Sequence, residues 1–206
     1  MKLSLSEKAI LATIVYYDVL GNHPLTSFEI YKYLTNPSTD NNPASQGLNN
    51  LKLSQIIALL DKSPKIKEII SQENGFYFLK NKKALVKERI ERQKIAETKW
   101  KKLKRVAKWC QMIPYIEMVA VSGSLSLNNT KKESDLDLLI SSRYGRIWTV
   151  RILLSGFLQL IGQRRHNQKI KDKICLNQYL TPKSLRMPLK NLSNAHSYGR
   201  LIPILG

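Results

Sequence analysis

The chain has 206 residues, 43% of them apolar, and a formal net charge of +19. The apolar share is ordinary for a globular protein and is sufficient for a hydrophobic core in one large domain or two small ones. The two cysteines, Cys110 and Cys175, lack CxxC spacing, which argues against a disulfide framework or a structural zinc site. The most apolar window, residues 147–162, is too short to span a membrane, so we expect no membrane partner. A helical pattern begins near the N-terminus in place of a visible signal peptide, and we therefore expect a reduced, cytoplasmic setting.

The first 80 residues carry the pattern of three helices followed by a β-hairpin. Apolar residues recur at helical spacing over residues 6–20, with Ser6 as the predicted N-cap. Two further helices are predicted over residues 27–34 and 54–61, separated by a surface loop over 35–50. Residues 66–70 and 75–79 predict two strands. This order of elements resembles a winged helix-turn-helix domain.

A winged helix commonly reads DNA, but the charge of this segment disfavours that role. Residues 1–80 hold eight Lys and Arg against seven Asp and Glu. The predicted recognition helix offers Gln55 as its only evident base-reading side chain. Affinity for duplex DNA depends on the neutralisation of phosphates by basic side chains. Sequence-specific DNA binding is therefore disfavoured, and a docking or protein-interaction role is favoured.

Residues 82–113 predict one long basic helix. Apolar residues recur mostly at three- and four-residue spacing from Val86 to Cys110, which gives the helix one apolar stripe. Residues 81–113 hold 12 Lys and Arg against three Asp and Glu. Two interpretations remain open. The helix is either a solvated connection, or a basic surface that guides a polyanion, such as RNA or a triphosphate tail, towards an acidic site.

One stretch in the second half of the chain carries the pattern of a catalytic site. Residues 119–121 are apolar and predict a short strand, which stops at the turn-forming pair Gly123-Ser124. Asp135 and Asp137 lie two residues apart in a second predicted strand and therefore project to the same face. A hard divalent cation is the most effective partner for such a carboxylate pair, and Mg²⁺ prefers oxygen ligands of this kind. Gly123 lets the backbone approach an anion closely, and Ser124 offers a hydroxyl and an amide to a phosphate.

This motif resembles the core motif of the polymerase-beta-type nucleotidyltransferase superfamily. Members carry glycine-serine on one element and an aspartate pair on the next strand, and here Asp135 follows Ser124 by eleven positions. The resemblance implies that Asp135 and Asp137 are catalytic and hold Mg²⁺ or Mn²⁺. It also implies that Gly123 and Ser124 position the β- and γ-phosphates of a nucleoside triphosphate. The alternative is a surface strand with two solvated aspartates after an ordinary loop.

Active members of that superfamily usually carry a third carboxylate on a third strand, and this chain departs from the pattern. Residues 173–180 predict that strand and contain no acid, while Asp172 lies just before it. Asn177 stands about where the aspartate is expected and is the third candidate for binding the nucleotide and its metal. An asparagine is neutral and cannot act as a general base, a contribution worth roughly 10²–10⁴ in rate. Three outcomes are open: Asp172 swings in, another group substitutes, or the domain binds nucleotide without efficient transfer.

The remaining C-terminal elements are basic. Residues 147–162 predict a largely buried helix, residues 163–171 an exposed basic loop, and residues 191–200 a last helix. Residues 146–206 hold 11 Lys and Arg against one acid. The sequence LIPILG at residues 201–206 predicts either a segment that packs back onto the sheet or a domain that is incomplete at its C-terminal end.

These patterns predict an α+β protein with three parts: a winged helix-turn-helix over 1–80, a basic connecting helix over 81–113, and a small mixed-sheet nucleotidyltransferase-like domain over 114–206. The function implied by the resemblance is Mg-dependent transfer of a nucleoside monophosphate from a nucleoside triphosphate to a hydroxyl acceptor. RNA or another polyanion is the candidate partner of the basic surfaces. Two alternatives remain. One is a winged-helix DNA-binding regulator with a degenerate, nucleotide-sensing transferase fold, and the other is a non-catalytic nucleic-acid-binding scaffold.

Overall fold

The computed structural model describes residues 3–37, 48, 50–166, 170–186, 189 and 191–206. The protein is α+β and divides into two compact units, Met1–Ile90 (unit 1) and Glu91–Gly206 (unit 2). The division falls inside the long helix Ala84–Cys110, so the stretch predicted as a separate connection contributes to both units. No helix within the described ranges combines the length and the apolar character needed to cross a membrane.

The first helix of unit 1, α1 (Leu5–Gly21), begins at a capping box. Ser4 Oγ accepts a hydrogen bond from the Glu7 N–H at 3.2 Å, and Glu7 Oε2 accepts one from the Ser4 N–H at 2.7 Å. Ser4 is thus the N-cap in place of the predicted Ser6, because Ser4 has a glutamate three residues further on. The box leaves Glu7 Oε1 free to accept a hydrogen bond from Ser63 Oγ at 2.7 Å.

Over its described residues, unit 1 continues with the short helices α2, α3 and α4 and a three-stranded sheet in the order β1-β3-β2. These elements are β1 (Leu25–Thr26), α2 (Ser27–Lys32), α3 (Leu53–Lys62), α4 (Pro64–Ile69), β2 (Ile70–Glu73) and β3 (Phe76–Leu79). Both strand pairs are antiparallel. The side chains at the centre of the unit are at most 2% exposed: Ile10, Ile14, Tyr17, Leu25, Ile30 and Ile56. Residues 38–47 and 49 of the predicted loop over 35–50 lie outside the described residues.

The prediction of a strand over residues 66–70 is wrong, because most of that segment is helical. Ser63 Oγ caps α4 by accepting the N–H of Ile66 at 3.4 Å, and Pro64 occupies the first helical position. The strand begins only at Ile70. The hairpin turn follows at Asn74-Gly75, where both residues have positive φ, 51° and 79°.

Unit 2 is built on a mixed four-stranded sheet in the order β6-β5-β4-β7. Its strands are β4 (Ile116–Val121), β5 (Leu136–Ser142), β6 (Ile174–Leu180) and β7 (Ile202–Leu205). β5 runs antiparallel to β4 and parallel to β6, and β7 is antiparallel to β4. The apolar C-terminal sequence therefore packs back onto the sheet as an edge strand. Leu136, Leu138 and Ile140 of the central strand are at most 1% exposed, so Asp137 interrupts a buried run.

Four helices accompany this sheet: α5 (Ala84–Cys110, from Glu91 onwards), α6 (Gly123–Ser126), α7 (Ile147–Leu160) and α8 (Leu192–Gly199). Val150, Leu154 and Leu158 of α7 are fully buried in the core of the unit. On the opposite side of the same helix, Trp148 and Leu160 are 70% and 88% exposed. The prediction of a largely buried helix therefore holds for one face of α7 only.

Candidate active site

The turn after β4 is tied to the start of β5. Val121, the last residue of β4, pairs with Leu138, and the N–H of the next residue, Ser122, donates to the backbone oxygen of Asp137 at 3.0 Å. Because the two strands are antiparallel neighbours, the end of one lies beside the beginning of the other. The turn that carries Gly123 and the strand that carries Asp137 therefore meet at one edge of the sheet.

Gly123 lies so close to the carboxylate of Asp137 that any side chain at this position would force the carboxylate to move. A Cβ built on Gly123 would overlap Asp137 Oδ2 and would lie 3.2 Å from its Cγ. Gly123 also has φ +66°, a conformation that side-chain-bearing residues rarely adopt. Ser124 follows it in the first turn of α6 and is half-buried. The structure thus brings Gly123 against Asp137, and Ser124 is the next residue along the chain.

Asp135 and Asp137 share their site with a cysteine of the neighbouring strand. In the parallel pairing of β5 and β6, Asp137 lies opposite Cys175. Ligand atoms of Asp135, Asp137 and Cys175 all lie within 4.8 Å of one another, and all three residues are half-buried. Burial, and next the neighbouring Asp135 charge, raise the pKa of the Asp137 carboxyl above its usual value of 3.8. The two carboxylates therefore repel each other, and a bound cation would reduce that repulsion.

A guanidinium group already lies over this cluster. Arg165 Nη1 is 2.6 Å from Asp135 Oδ2 and 3.8 Å from Cys175 Sγ. The backbone beneath it is fixed, because the Arg165 N–H donates to the oxygen of Ile174 at 2.9 Å and Arg164 forms a β-bridge with Ile174. The side chain itself is 43% exposed, so its ion pair with Asp135 is open to competition from solvent cations.

The structure places Asn177 apart from the acidic pair. The register of β5 and β6 shifts between Leu138 and Leu139, which leaves Asn177 as an extra, exposed residue on β6. Cys175 is the β6 residue opposite Asp137, and Asn177 lies two residues further along the strand. The bulge begins only after Leu138, so the register of the parallel pair is what separates Asn177 from Asp137, and the bulge leaves Asn177 without a partner residue on β5. Sequence spacing alone does not give this register.

Asp172, the other acid considered for the third position, is held by the long helix. Its Oδ1 accepts a hydrogen bond from Lys99 Nζ at 2.8 Å, and its backbone oxygen accepts one from Lys102 Nζ at 2.7 Å. Lys99 is only 3% exposed and also donates to the backbone oxygen of Ser134, directly before Asp135. Release of Asp172 would leave a buried ammonium with one partner fewer, which is costly. These contacts favour a structural role for Asp172, anchoring the two loops next to the site on α5.

The two carboxylates fit a magnesium ion, whereas the thiol does not. Mg²⁺ in nucleotide sites is commonly held by one or two carboxylates plus phosphate oxygens and water, and Asp135 and Asp137 supply that protein share. The missing Cβ of Gly123 keeps the space beside Asp137 clear. Cys175 is a soft donor that Mg²⁺ does not select, and burial raises the pKa of its thiol. Asp135 and Asp137 are thus the residues that would hold the ion.

Two members of this site are not evident from sequence reasoning. Cys175 is identified only by the pairing register, and Arg165 only by the path of the loop between α7 and β6, whose residues 167–169 lie outside the described ranges. The one signal for Arg165 is its place in a basic run just before the third strand.

A scan against protein-family models, a search of curated proteins and a search of solved structures each found no match for this chain.

Proposed function

We propose that unit 2 binds a nucleoside triphosphate together with Mg²⁺ or Mn²⁺ and transfers its nucleoside monophosphate to a hydroxyl acceptor. The observation that carries the proposal is the contact between Gly123 and the Asp137 carboxylate. That contact places a glycine-serine turn, which can bind phosphate through its backbone, beside an acid that can bind a metal, and nucleotidyl transfer requires this combination. The mixed sheet with Asp137 on its central strand supports the same resemblance to polymerase-beta-type nucleotidyltransferases.

In this proposal each residue has a distinct task. Asp135 and Asp137 hold the metal, and the ion neutralises phosphate charge during the reaction. The backbone of Gly123 and the amide and hydroxyl of Ser124 position the β- and γ-phosphates. The acceptor hydroxyl loses its proton to solvent and its oxygen forms a bond to the α-phosphorus. The bond from that phosphorus to the β-phosphate oxygen breaks, and pyrophosphate leaves. Positioning and charge supply most of the rate.

The site offers no evident general base for deprotonation of the acceptor hydroxyl. Its third position holds the Cys175 thiol, whose raised pKa keeps it protonated at neutral pH, so that it cannot take the proton of the acceptor. We therefore expect a slow enzyme, about 10²–10⁴ below one with a general base in that place. This weakness also keeps the nucleotide-sensing regulator as the runner-up, since binding needs only the acids and the turn.

Unit 1 and the basic surfaces complete the proposal. The hairpin of β2 and β3, joined by β1 and surrounded by α1, α2 and α3, supports a winged-helix assignment for unit 1. Its charge is close to balanced, which favours a docking role over sequence-specific DNA binding. The excess of Lys and Arg over residues 81–113 and 146–206 favours a polyanionic partner such as RNA.

The position of the radioactive label tests the proposed reaction. Incubation of the full chain with α-³²P nucleoside triphosphates, Mg²⁺ or Mn²⁺, and RNA, protein or small hydroxyl acceptors is expected to label the acceptor. The same reaction with γ-³²P nucleotide is expected to release label as pyrophosphate, which separates this reaction from a kinase or phosphatase. The double variant Asp135→Asn/Asp137→Asn serves as the control and is expected to transfer nothing. An α-label that reaches no acceptor, or that the double variant transfers equally well, contradicts the enzyme.

A further inference from the structure

Cys175 occupies the third corner of the acidic site, where a thiol is chemically unexpected. It lies opposite Asp137 in the strand pairing, and its sulfur is within 4.8 Å of the ligand oxygens of Asp135 and Asp137. Asp137 and Cys175 lie opposite each other on two paired strands, and Asp135 directly precedes the first residue of β5, so the sheet fixes the spacing of two donors and places the third beside them. Small side-chain rotations are sufficient to bring all three onto one ion. The result is a donor set of two oxygens and one sulfur.

The Arg165 guanidinium places a positive group at this corner of the site. It belongs to neither strand of the cluster, yet Nη1 reaches both Asp135 Oδ2, at 2.6 Å, and Cys175 Sγ, at 3.8 Å. Its backbone is pinned to β6 by the Arg165 N–H bond to Ile174. A positive group is therefore seated between a hard donor and a soft donor of the same site. A metal ion at this point would have to take its place.

The chemistry of the three donors favours a softer ion than magnesium. Thiolate selects ions such as Zn²⁺ and Co²⁺, whereas Mg²⁺ prefers oxygen and keeps much of its water. Three protein ligands with an open fourth position are also the usual arrangement of a catalytic zinc site. Mg²⁺ on two carboxylates depends on the triphosphate for its further ligands. An ion that also binds the sulfur has enough protein ligands to bind before any nucleotide arrives.

We infer that Cys175 is the third metal ligand, and that Asp135, Asp137 and Cys175 bind a thiophilic divalent cation of the Zn²⁺ class in the absence of nucleotide. This inference rests on the proposed function, in which the two aspartates hold a metal. Binding replaces the hydrogen bond from Arg165 to Asp135 with a metal–oxygen bond. It converts the Cys175 thiol into a metal-bound thiolate and releases one proton to solvent together with the displaced metal-bound waters. The site thereby binds a soft ion by itself and a hard ion with nucleotide.

Cobalt absorption tests the sulfur ligand directly, because thiolate-to-Co²⁺ charge transfer absorbs in the near ultraviolet and carboxylate ligation does not. Titration of the nucleotide-free full chain with Co²⁺ is expected to produce this band at one equivalent. Cys175→Ser is expected to lose the band and to bind Co²⁺ at least about tenfold more weakly. The matched control is Cys110→Ala, which removes the other thiol, a fully buried core residue, and is expected to keep the band.

Arg165→Gln is expected to bind Co²⁺ about twofold to fivefold more tightly, because the variant lacks the partly exposed ion pair that competes with the metal for Asp135.

A second variant keeps the inference testable if Cys175→Ser does not fold. Cys175→Asp replaces sulfur with oxygen and is expected to lose the band while it binds Mn²⁺ more tightly than the wild type. A band that is absent in the wild type, or that survives in either Cys175 variant, overturns the inference. Binding of Mn²⁺ with a nucleoside triphosphate is measured in parallel. If nucleotide binding with Mn²⁺ persists while the cobalt band is absent, Cys175 is not a metal ligand and the proposed function stands. If the cobalt band is present while nucleotide binding is absent, Cys175 is a metal ligand and the proposed function is wrong.

Discussion

Replacing Gly123 with alanine is expected to abolish binding of Mn²⁺ and nucleoside triphosphate while most of the fold remains. The new methyl group would overlap Asp137 Oδ2, and the carboxylate is therefore forced away from the turn. Alanine at φ +66° adds a backbone cost of about 1–2 kcal/mol. We expect a loss of nucleotide affinity of at least about 100-fold, equivalent to about 2.7 kcal/mol, since turn and acid no longer face one ligand. Isothermal titration with Mn²⁺ and a non-hydrolysable nucleotide measures this loss, and thermal unfolding measures the stability.

Gly145→Ala is the matched control for this experiment. Gly145 has a similar backbone angle, φ +76°, but a Cβ built on it meets nothing within 4 Å. The Gly145→Ala variant is expected to have a lower melting temperature, because alanine is unfavourable at this backbone angle, and to bind nucleotide normally. The difference between the two variants isolates the close approach to Asp137. Equal binding by both variants would mean that the contact with Gly123 has no part in the site.

Asp137→Asn is expected to remove nucleotidyl transfer and at the same time to stabilise the protein at pH 7. Asp137 is half-buried, and desolvation followed by the Asp135 charge raises the pKa of its carboxyl. An ionised carboxylate there opposes folding, and an amide of the same shape does not. Because the group is partly solvated, the gain is discounted to within about 1 kcal/mol, a rise in melting temperature of up to about 2–4 °C. Differential scanning calorimetry and the label-transfer assay together measure both effects.

The pH dependence of this gain has a definite sign. A carboxyl whose pKa is higher in the folded state binds its proton more tightly there, so the stability contributed by Asp137 falls as the pH rises from 3.8 through the raised value. The advantage of Asp137→Asn should therefore appear across that window and vanish below it. Asp135→Asn is the contrasting variant: it removes the ion pair with Arg165 and is expected to gain no stability. If Asp137→Asn destabilises the protein, the ionised Asp137 carboxylate does not oppose folding. If the variant transfers nucleotide normally, Asp137 has no catalytic role.

The proximity of Gly123 to Asp137 and of Asp135 to Asp137 follows from local sequence, because these residues belong to consecutive segments of the chain. The prediction that both acids lie in one strand is wrong, since β5 begins at Leu136, directly after Asp135. The third strand is different. Which of its residues lies opposite Asp137 depends on the register in which β6 pairs with β5, and neither strand alone encodes that register. Cys175 is therefore visible only in the folded protein.

The structure differs from the sequence-based prediction at two other places, the segment 66–70 and helix α7. Residues 66–70 are rich in isoleucine and favour a strand by propensity, but the Ser63 cap and Pro64 start a helix before them. In α7, apolar residues surround the whole helix, so periodicity does not reveal which face packs on the sheet. Val150, Leu154 and Leu158 are buried, whereas Trp148 and Ile152 face outwards.

A crystal of the full chain grown with Mn²⁺ and a non-hydrolysable nucleoside triphosphate tests the central claim most directly. We predict an anomalous manganese peak bonded to the carboxylates of Asp135 and Asp137, with the β- and γ-phosphates at Gly123 and Ser124. Arg165 is expected to have left Asp135. A triphosphate bound elsewhere, or a manganese peak away from the two carboxylates with Arg165 still paired to Asp135, would contradict the assignment of this edge of the sheet as a nucleotide site.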